Sequence, residues 1–296
     1  MNPRSYWFLS LFLCLSVASA QAEGRALYYF QVDHRYDYRN ELLALALSYT
    51  NGKAGHETII PTPMENMPSA RGQQLLKKND FLGIVSLATN YQREEEFLPI
   101  RVPILAGALG MRIALIRDDH QHILDDVQTL QQLRKIKAGF VSHWGDMIIL
   151  EKNGLEVLSA ARYETMFAML SAGRFEYFPR GINEIQQELE KFQRKYWQLA
   201  IEKNLAIYYP YPVYFFVHKE QQDIAQRIEL GLKEALKDGS FKALFLAHHS
   251  QLFEDLNLKQ RRIIVLENPT LPEGTEMPDM SWWLGKELNL TSKNRH

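Results

Sequence analysis

The chain has 296 residues with 34 basic and 35 acidic side chains, a formal charge of −1 and a single cysteine. A near-neutral chain lacks the basic field that phosphate binding requires, so the composition speaks against nucleic acid as a partner. Cys14 has no second cysteine in the sequence, which excludes an internal disulfide and a cysteine metal site. A chain of this length can bury a sizeable core and exceeds the usual size of one compact domain, so we expect two substructures.

The first twenty residues have the pattern of a secretory leader. Arg4 supplies a positive charge, residues 7–17 form an apolar run, and Ala18-Ser19-Ala20 is a small-x-small cleavage signal. A membrane anchor is the competing interpretation, but the run is shorter than the roughly 18 apolar residues that a spanning helix needs. We therefore predict a signal peptide at 1–20, cleavage before Gln21 and an exported protein of 276 residues without cysteine.

Short apolar or β-branched runs alternate with segments of helical spacing, which is typical of βα units around a mainly parallel sheet. The fold class is therefore α/β. The pattern predicts strands at 27–32, 58–60, 81–86, 111–116, 137–141, 175–178, 213–217 and 263–266. It predicts helices at 39–49, 69–78, 146–153, 163–172, 183–203 and 221–237, with Gly173 and Gly239 ending two of them.

The predicted elements divide the chain without a Gly/Ser linker or an internal repeat. The strand connections near 111–117 and 210–217 would serve as the crossings between two lobes. On this division, residues 21–112 and 213–296 form a discontinuous first lobe, and residues 113–212 form the second.

Three segments carry a resemblance to a known family. Ser86-Leu87-Ala88-Thr89 is followed by Arg93 and Phe97, Lys137-Ala138-Gly139-Phe140 precedes a predicted helix, and 168–177 reads Ala-Met-Leu-Ser-Ala-Gly-Arg-Phe-Glu-Tyr. In this order and spacing the segments resemble the family-3 periplasmic solute-binding proteins, over most of the mature chain. The resemblance implies a two-lobed, periplasmic-binding-protein-like type II fold in the periplasm, in which each lobe is a mainly parallel sheet flanked by helices.

Arg93 is the first candidate ligand residue. It follows a predicted strand, at the edge where open α/β sheets place their crevice, and a guanidinium there can grip a carboxylate with two hydrogen bonds. The alternative is an arginine paired with Glu94, Glu95 or Glu96 on a solvated turn. Ser86 and Thr89 offer hydroxyl groups to a ligand, although as turn or capping residues they need none.

The second-lobe candidates follow the strand at 137–141. His143 and Trp144 stand where that strand passes into a helix, so free amides there would bind an anion and the indole would stack on a ligand. The alternative is a core tryptophan with Asp146 capping the helix. Tyr29 is the candidate from a dense group of aromatic residues at the first-lobe rim, part of which must belong to the core.

The chain departs from the family at one informative place. In amino-acid binders of this family, an aspartate usually holds the ammonium group of the ligand, and it stands a few residues after the strand that corresponds to 175–178. This chain has Phe178-Pro179-Arg180-Gly181 there. If Arg180 faces the cleft, two arginines from opposite lobes favour a ligand with two acidic groups, or one acidic group held from both sides. Alternatively, Arg180 pairs with Glu184 one helical turn on.

The leading prediction is capture of a small, carboxylate-bearing solute by lobe closure, with transfer to an inner-membrane permease of an ABC transporter or a report to a receptor. No P-loop, dinucleotide fingerprint, nucleophile elbow or zincin motif occurs, so we predict no catalytic residue and no cofactor. His120, His122 and the adjacent pair His248-His249 are interpreted as polar surface, with no metal site. We expect a monomer.

Two other functions stay open at this stage. Some proteins similar to this fold are periplasmic dehydratases, and Glu184 and His143 would be the acid and base of such an enzyme. The chain would otherwise be a scaffold that has lost its ligand and binds another protein.

Overall fold

The computed structural model describes residues 25–32, 36–52, 57–62 and 69–275. The predicted signal peptide at 1–20 lies outside the described residues. Within them the strands are β1 (Arg25–Tyr29), β2 (Glu57–Pro61), β3 (Gly83–Ala88), β4 (Leu98–Ile100), β5 (Met111–Arg117), β6 (Ala138–Val141), β7 (Val157–Ala160), β8 (Phe178–Gly181), β9 (Leu199–Ile201), β10 (Leu205–Tyr208), β11 (Val213–Val217) and β12 (Arg262–Val265).

The helices in the same residues follow the strands in βα order. They are α1 (Asp37–Ser48), α2 (Ser69–Lys78), α3 (Tyr91–Glu96), α4 (Leu130–Leu133), α5 (Met147–Lys152), α6 (Tyr163–Ser171), α7 (Ile185–Gln193), α8 (Gln222–Asp238) and α9 (Ser240–Asp255). The predicted α/β class is confirmed.

The first lobe is built on a five-stranded sheet in the order β2-β1-β3-β11-β4. β1 runs parallel to both β2 and β3, whereas β11 is antiparallel to β3 and β4. All six residues of β3 are buried, because Ile84 and Ala88 pack into the main core and Val85 and Leu87 into a second cluster on the opposite face. A strand covered on both faces reads as a continuous apolar run, which is why the sequence identified it.

The second lobe is built on a sheet in the order β12-β10-β5-β8, with β9 pairing β5, and on the two-stranded pair β6-β7. A bridge between Ala138 and Tyr177 connects the pair to the rest of the lobe. β10 and β12 are parallel, whereas β5 is antiparallel to β8, β9 and β10. Both sheets are therefore mixed rather than mainly parallel.

The last strand has an informative partner. The predicted domain division assigns 213–296 to the first lobe, yet β12 pairs along its length with β10 of the second sheet, from Leu205 opposite Arg262 to Tyr208 opposite Val265. The chain thus passes between the two sheets after β4, after β10 and again after α9. The exact division into lobes stays a prediction.

Three predicted elements need correction. The helix predicted at 183–203 is wrong in its length: α7 ends at Gln193, because Leu199–Ile201 instead pairs with Leu115–Arg117 of β5. The strand predicted at 175–178 lies three residues later, at Phe178–Gly181. The apolar spacing assigned no range to 240–262, where the structure has the 16-residue helix α9.

The first two connections between the sheets contact each other closely. Residues 101–110 join β4 to β5, and residues 209–212 join β10 to β11. The backbone N–H of Tyr209 donates to the carbonyl of Gly110 at 3.2 Å, and a Cβ built on Gly110 would lie 1.8 Å from the carbonyl oxygen of Tyr209. Only a residue without a side chain fits at this contact.

Candidate functional site

Ser86 is buried in β3, and its hydroxyl forms hydrogen bonds with two protein side chains. The Oγ donates to Oε1 of Gln31 at 2.7 Å and accepts from Nη1 of Arg39 at 3.0 Å. The backbone of Ser86 also bonds the Gln31 amide in both directions, at 2.8 Å each. These bonds hold the end of β1 and the start of α1 against β3.

Thr89 is completely buried just after β3. Its Oγ1 donates to Oε1 of Glu94 at 2.5 Å, and its backbone N–H donates to the carbonyl of Pro212 at 2.9 Å. The second Glu94 oxygen accepts from the exposed Arg101. Thr89 therefore connects the turn after β3 to the segment that precedes β11.

Arg93 lies half-buried in α3, directly after the C-terminal end of β3. Its backbone N–H donates to Oδ1 of Asn90, which caps the helix, and its Nη1 donates to the carbonyl of Ala88 at 2.5 Å. Arg93 also lies beside Tyr211: burial raises the pKa of that phenol, Asp146 raises it further, and Arg93 lowers it. No described acidic side chain forms an ion pair with Arg93. The pairing with Glu94, Glu95 or Glu96 that the sequence offered as an alternative is therefore not observed.

Tyr29 ends β1 and lies between two neighbouring strands, opposite Pro61 of β2 and Ile84 of β3. Its half-buried ring packs against the main core, and its carbonyl accepts from the N–H of Thr62 at 3.1 Å.

Trp144 lies in a packed aromatic cluster of the second lobe, and the guanidinium of Arg180 stacks on that cluster. The indole is stacked near Phe178 and meets Phe140 edge-on, with ring centroids 6.1 and 5.1 Å apart. The guanidinium carbon of Arg180 lies 4.3 Å from the centroid of the Trp144 ring. His143, just before this tryptophan, is exposed.

Arg180 is buried and has two carboxylate partners. Its Nη2 donates to Glu184 at 2.9 Å and to Glu188 at 2.5 Å, and its Nε donates to the other Glu188 oxygen at 2.6 Å. The hydroxyl of Tyr163 donates to the same glutamate at 2.7 Å. The pairing with Glu184 matches the sequence-based alternative, and Glu188 adds a second carboxylate to it. Whether Arg180 also touches a ligand stays a prediction.

A buried cluster that the sequence analysis did not identify lies beside the connections between the lobes. Nη2 of Arg112 and the hydroxyl of Tyr209 both donate to Oδ2 of Asp146 at 2.6 Å, and Nε of Arg112 donates to the Tyr209 oxygen at 2.6 Å. Asp146 does not cap α5 with its side chain, as the alternative interpretation had expected. The available signal was a lone arginine inside the apolar run of β5.

This cluster and Arg93 are neighbours. Tyr211 follows Tyr209 by two residues, and its hydroxyl lies 3.4 Å from where a Cβ on Gly145 would be. The electrostatic effects on the Tyr211 phenol come from Asp146 and Arg93, followed by Arg112. The start of α5 in the second lobe, the segment 209–212 and Arg93 of the first lobe therefore meet in one place, which we call the Arg93 crevice.

A cavity of about 270 Å³ opens between the lobes on another side. One wall comes from α1 and α9 of the first lobe and includes Tyr38, His248 and His249. The other wall comes from residues at and before the start of α7 and includes Ile182, Asn183 and Gln186. An adjoining recess of about 60 Å³ is lined in addition by Arg39, Leu105 and Leu109. We call the two together the α9 groove.

Two kinds of feature are absent from the described residues. No group of three or more His, Cys, Asp or Glu side chains is placed to hold a metal ion. No helix among those residues has the length and apolar character needed to cross a membrane.

The sequence matches no protein-family model and no curated protein. The structure is similar to that of the probable amino-acid ABC transporter extracellular-binding protein YtmK from Bacillus subtilis, with a TM-score of 0.54 and 15% identity over 77% of this chain and 97% of that one. It is also similar to the ligand-binding core of GluR0 from Nostoc punctiforme in complex with L-glutamate, with a TM-score of 0.46 and 11% identity over 76% and 99% of the chains.

A periplasmic binding protein of Salmonella typhimurium with high arginine specificity gives a TM-score of 0.44 and 13% identity over 79% of this chain and 99% of that one. The similarity to the Bacillus subtilis protein supports the fold assignment. The chain has the two-lobed type II periplasmic-binding-protein fold, and the resemblance of its sequence to the family-3 solute-binding proteins is confirmed at the level of the fold.

Proposed function

Because the chain has the type II periplasmic-binding-protein fold, we propose that it binds a small, carboxylate-bearing solute between its lobes, in the Arg93 crevice. One observation carries the proposal: Arg93 is a cation at the carboxyl end of β3 with no described carboxylate partner. Open α/β sheets bind ligands at this edge. An anionic ligand would supply the missing partner.

The surrounding arginines differ from Arg93 in their partners. Arg101 pairs with Glu94, Arg112 with Asp146, and Arg180 with Glu184 and Glu188. A carboxylate bound near these three arginines would compete with an existing acidic partner, whereas Arg93 gives up only a backbone carbonyl and a neutral phenol. The proposal therefore requires one acidic group on the ligand, and it does not require Arg180 to contact it.

The crevice also offers polar contacts from the other lobe. The Tyr211 hydroxyl interacts with Arg93, and it lies 3.4 Å from where a Cβ on Gly145 would be, so the start of α5 approaches the same region. A solute held by Arg93 on one side and by the 144–146 backbone on the other would bridge the lobes, and its differential contacts would stabilise the closed state. Transfer to a permease or signalling to a receptor are the roles that follow from such closure, in the periplasm.

Calorimetric titration with succinate, L-glutamate and L-arginine tests the proposal. We expect at least one of them to bind, and Arg93→Ala to weaken that binding about 10- to 100-fold, because a charge-assisted hydrogen bond contributes about 1.5–3 kcal/mol. Arg101→Ala is the matched control, since Arg101 is exposed and its partner is Glu94.

Two results would contradict the proposal. One is equal affinity of the Arg93→Ala and Arg101→Ala proteins for the same carboxylate. The other is no heat of binding from a broader panel of mono- and dicarboxylates with a protein that is shown to be folded.

The dehydratase and scaffold functions stay predictions. Glu184, the predicted acid of the enzyme, accepts a hydrogen bond from Arg180, and His143, the predicted base, is exposed. Turnover of a candidate substrate would support the enzyme.

A further inference from the structure

The α9 groove has a wall chemistry unlike that of the Arg93 crevice. The cavity of about 270 Å³ has no aspartate, glutamate, lysine or arginine among its lining side chains. Its polar groups are carboxamides from the second lobe, on Asn183, Gln186 and Gln187, and imidazoles from α9 of the first lobe, on His248 and His249. Apolar surface comes from Ile182, Leu252 and the ring of Tyr38, and the Tyr38 hydroxyl already donates to the carbonyl of Ile104 at 2.9 Å.

His249 presents a neutral ring to this cavity. Its Nδ1 lies 2.8 Å from the carbonyl oxygen of Phe245, which only accepts, so Nδ1 carries the hydrogen and Nε2 is left as an acceptor. The ring is held in place by stacking on Phe245 at 4.3 Å and by an edge contact with Tyr38 at 4.8 Å. Burial lowers the pKa of His249 to about 4, so the imidazole is uncharged at neutral pH.

The side-chain amides on the opposite wall of the cavity are free to bind a ligand. The side chains of Asn183 and Gln186 make no hydrogen bond to another described residue, and each amide offers both donors and an acceptor. His248, by contrast, is engaged with Glu41 at 3.0 Å. The groove thus combines an unengaged acceptor on one lobe with unengaged amides on the other.

We propose that the larger cavity of the α9 groove is a second binding site, for a small uncharged molecule rich in hydrogen-bonding groups, such as a sugar, a polyol or a carboxamide. Neutral amides and a neutral imidazole satisfy hydroxyl and amide groups without the desolvation cost of an unpaired charge. A charged carboxylate would find no cation in the larger cavity. The site has walls from both lobes, and it does not depend on the solute proposed for the Arg93 crevice.

Saturation-transfer and titration NMR with glucose, myo-inositol and acetamide test this site. Direct binding is measured rather than a melting temperature, because polyols stabilise folded proteins in general by exclusion from the surface. We expect one of these probes to bind in the millimolar range, and Gln186→Ala and Asn183→Ala each to weaken it about tenfold. Gln193→Ala, at the exposed far end of the same helix, is the matched control and should leave the affinity unchanged.

His249→Phe keeps a ring and removes the acceptor, so it should abolish binding of the same probe while carboxylate binding persists. Arg93→Ala should have the reverse pattern, which separates failure of this site from failure of the proposed function. The inference is overturned if none of the three probes binds the unaltered protein. It is equally overturned if binding is the same in the Gln186→Ala, Asn183→Ala and Gln193→Ala proteins, all shown to be folded by circular dichroism.

Discussion

His249 illustrates how burial sets the behaviour of a single side chain. The folded protein lowers its pKa from the ordinary 6.5 to about 4, chiefly by desolvation and in spite of the hydrogen bond to Phe245. As the pH falls below about 6.5, the unfolded chain binds a proton at this residue and the folded chain does not. The stabilisation by a neutral His249 is therefore present above pH 6.5 and is lost progressively down to about pH 4.

The pH dependence of unfolding measures this effect. Between pH 7 and pH 4 we expect the native protein to lose about 2–3 kcal/mol more free energy of unfolding than the His249→Gln variant. His143→Gln, at an exposed position, should lose as much as the native protein. Parallel pH profiles for the native and His249→Gln proteins would show that the imidazole is not held neutral by the fold.

The sequence predicted the local placement of charged residues better than their long-range partners. Arg93 lies at a strand end as expected, and the four-residue spacing of Arg180 and Glu184 correctly suggested an ion pair. The partners of Arg112 could not be predicted from the sequence, because Asp146 and Tyr209 are 34 and 97 residues away in the chain. Local spacing carries no information on such contacts.

At the scale of elements, regular apolar spacing succeeded where one face of a helix is buried. α8 was predicted within a residue or two at each end, and Gly239 ends it with a positive φ of 86°. α9 was missed because its exposed positions include Ala243 and Ala247 beside polar residues, while Phe241, Phe245 and Phe253 are buried. A helix whose exposed face is only partly polar gives a weak amphipathic signal.

The close contact of the connecting segments gives a prediction at this scale. Gly110→Ala places a Cβ 1.8 Å from the Tyr209 carbonyl oxygen, so the backbone of 209–212 must shift. We expect a loss of about 1–3 kcal/mol or more in the free energy of unfolding, measured by urea denaturation.

Gly145→Ala provides the comparison for this variant. Its new Cβ would meet only the Tyr211 hydroxyl, at an ordinary 3.4 Å, so we expect a loss well below that of Gly110→Ala. If both variants unfold at the same urea concentration, the two connections are not in the contact described.

For the whole molecule, the order of strands and helices was sufficient to predict two α/β lobes, since each βα unit is local in sequence. The pairing of β12 with β10 was not predictable in the same way. It joins residues 262–265 to residues 205–208 across the intervening strand β11 and helices α8 and α9, so only the assembled sheet determines it. The place that we propose for the solute, between the lobes, likewise depends on the assembled molecule.

The most direct test of the central claim is amide hydrogen exchange with and without the tightest-binding carboxylate from the titration. A solute between the lobes slows exchange in both, at 88–93 of the first lobe and at 142–147 of the second, and these effects disappear in the Arg93→Ala protein. Protection confined to one lobe, or unchanged by Arg93→Ala, would contradict binding in the Arg93 crevice.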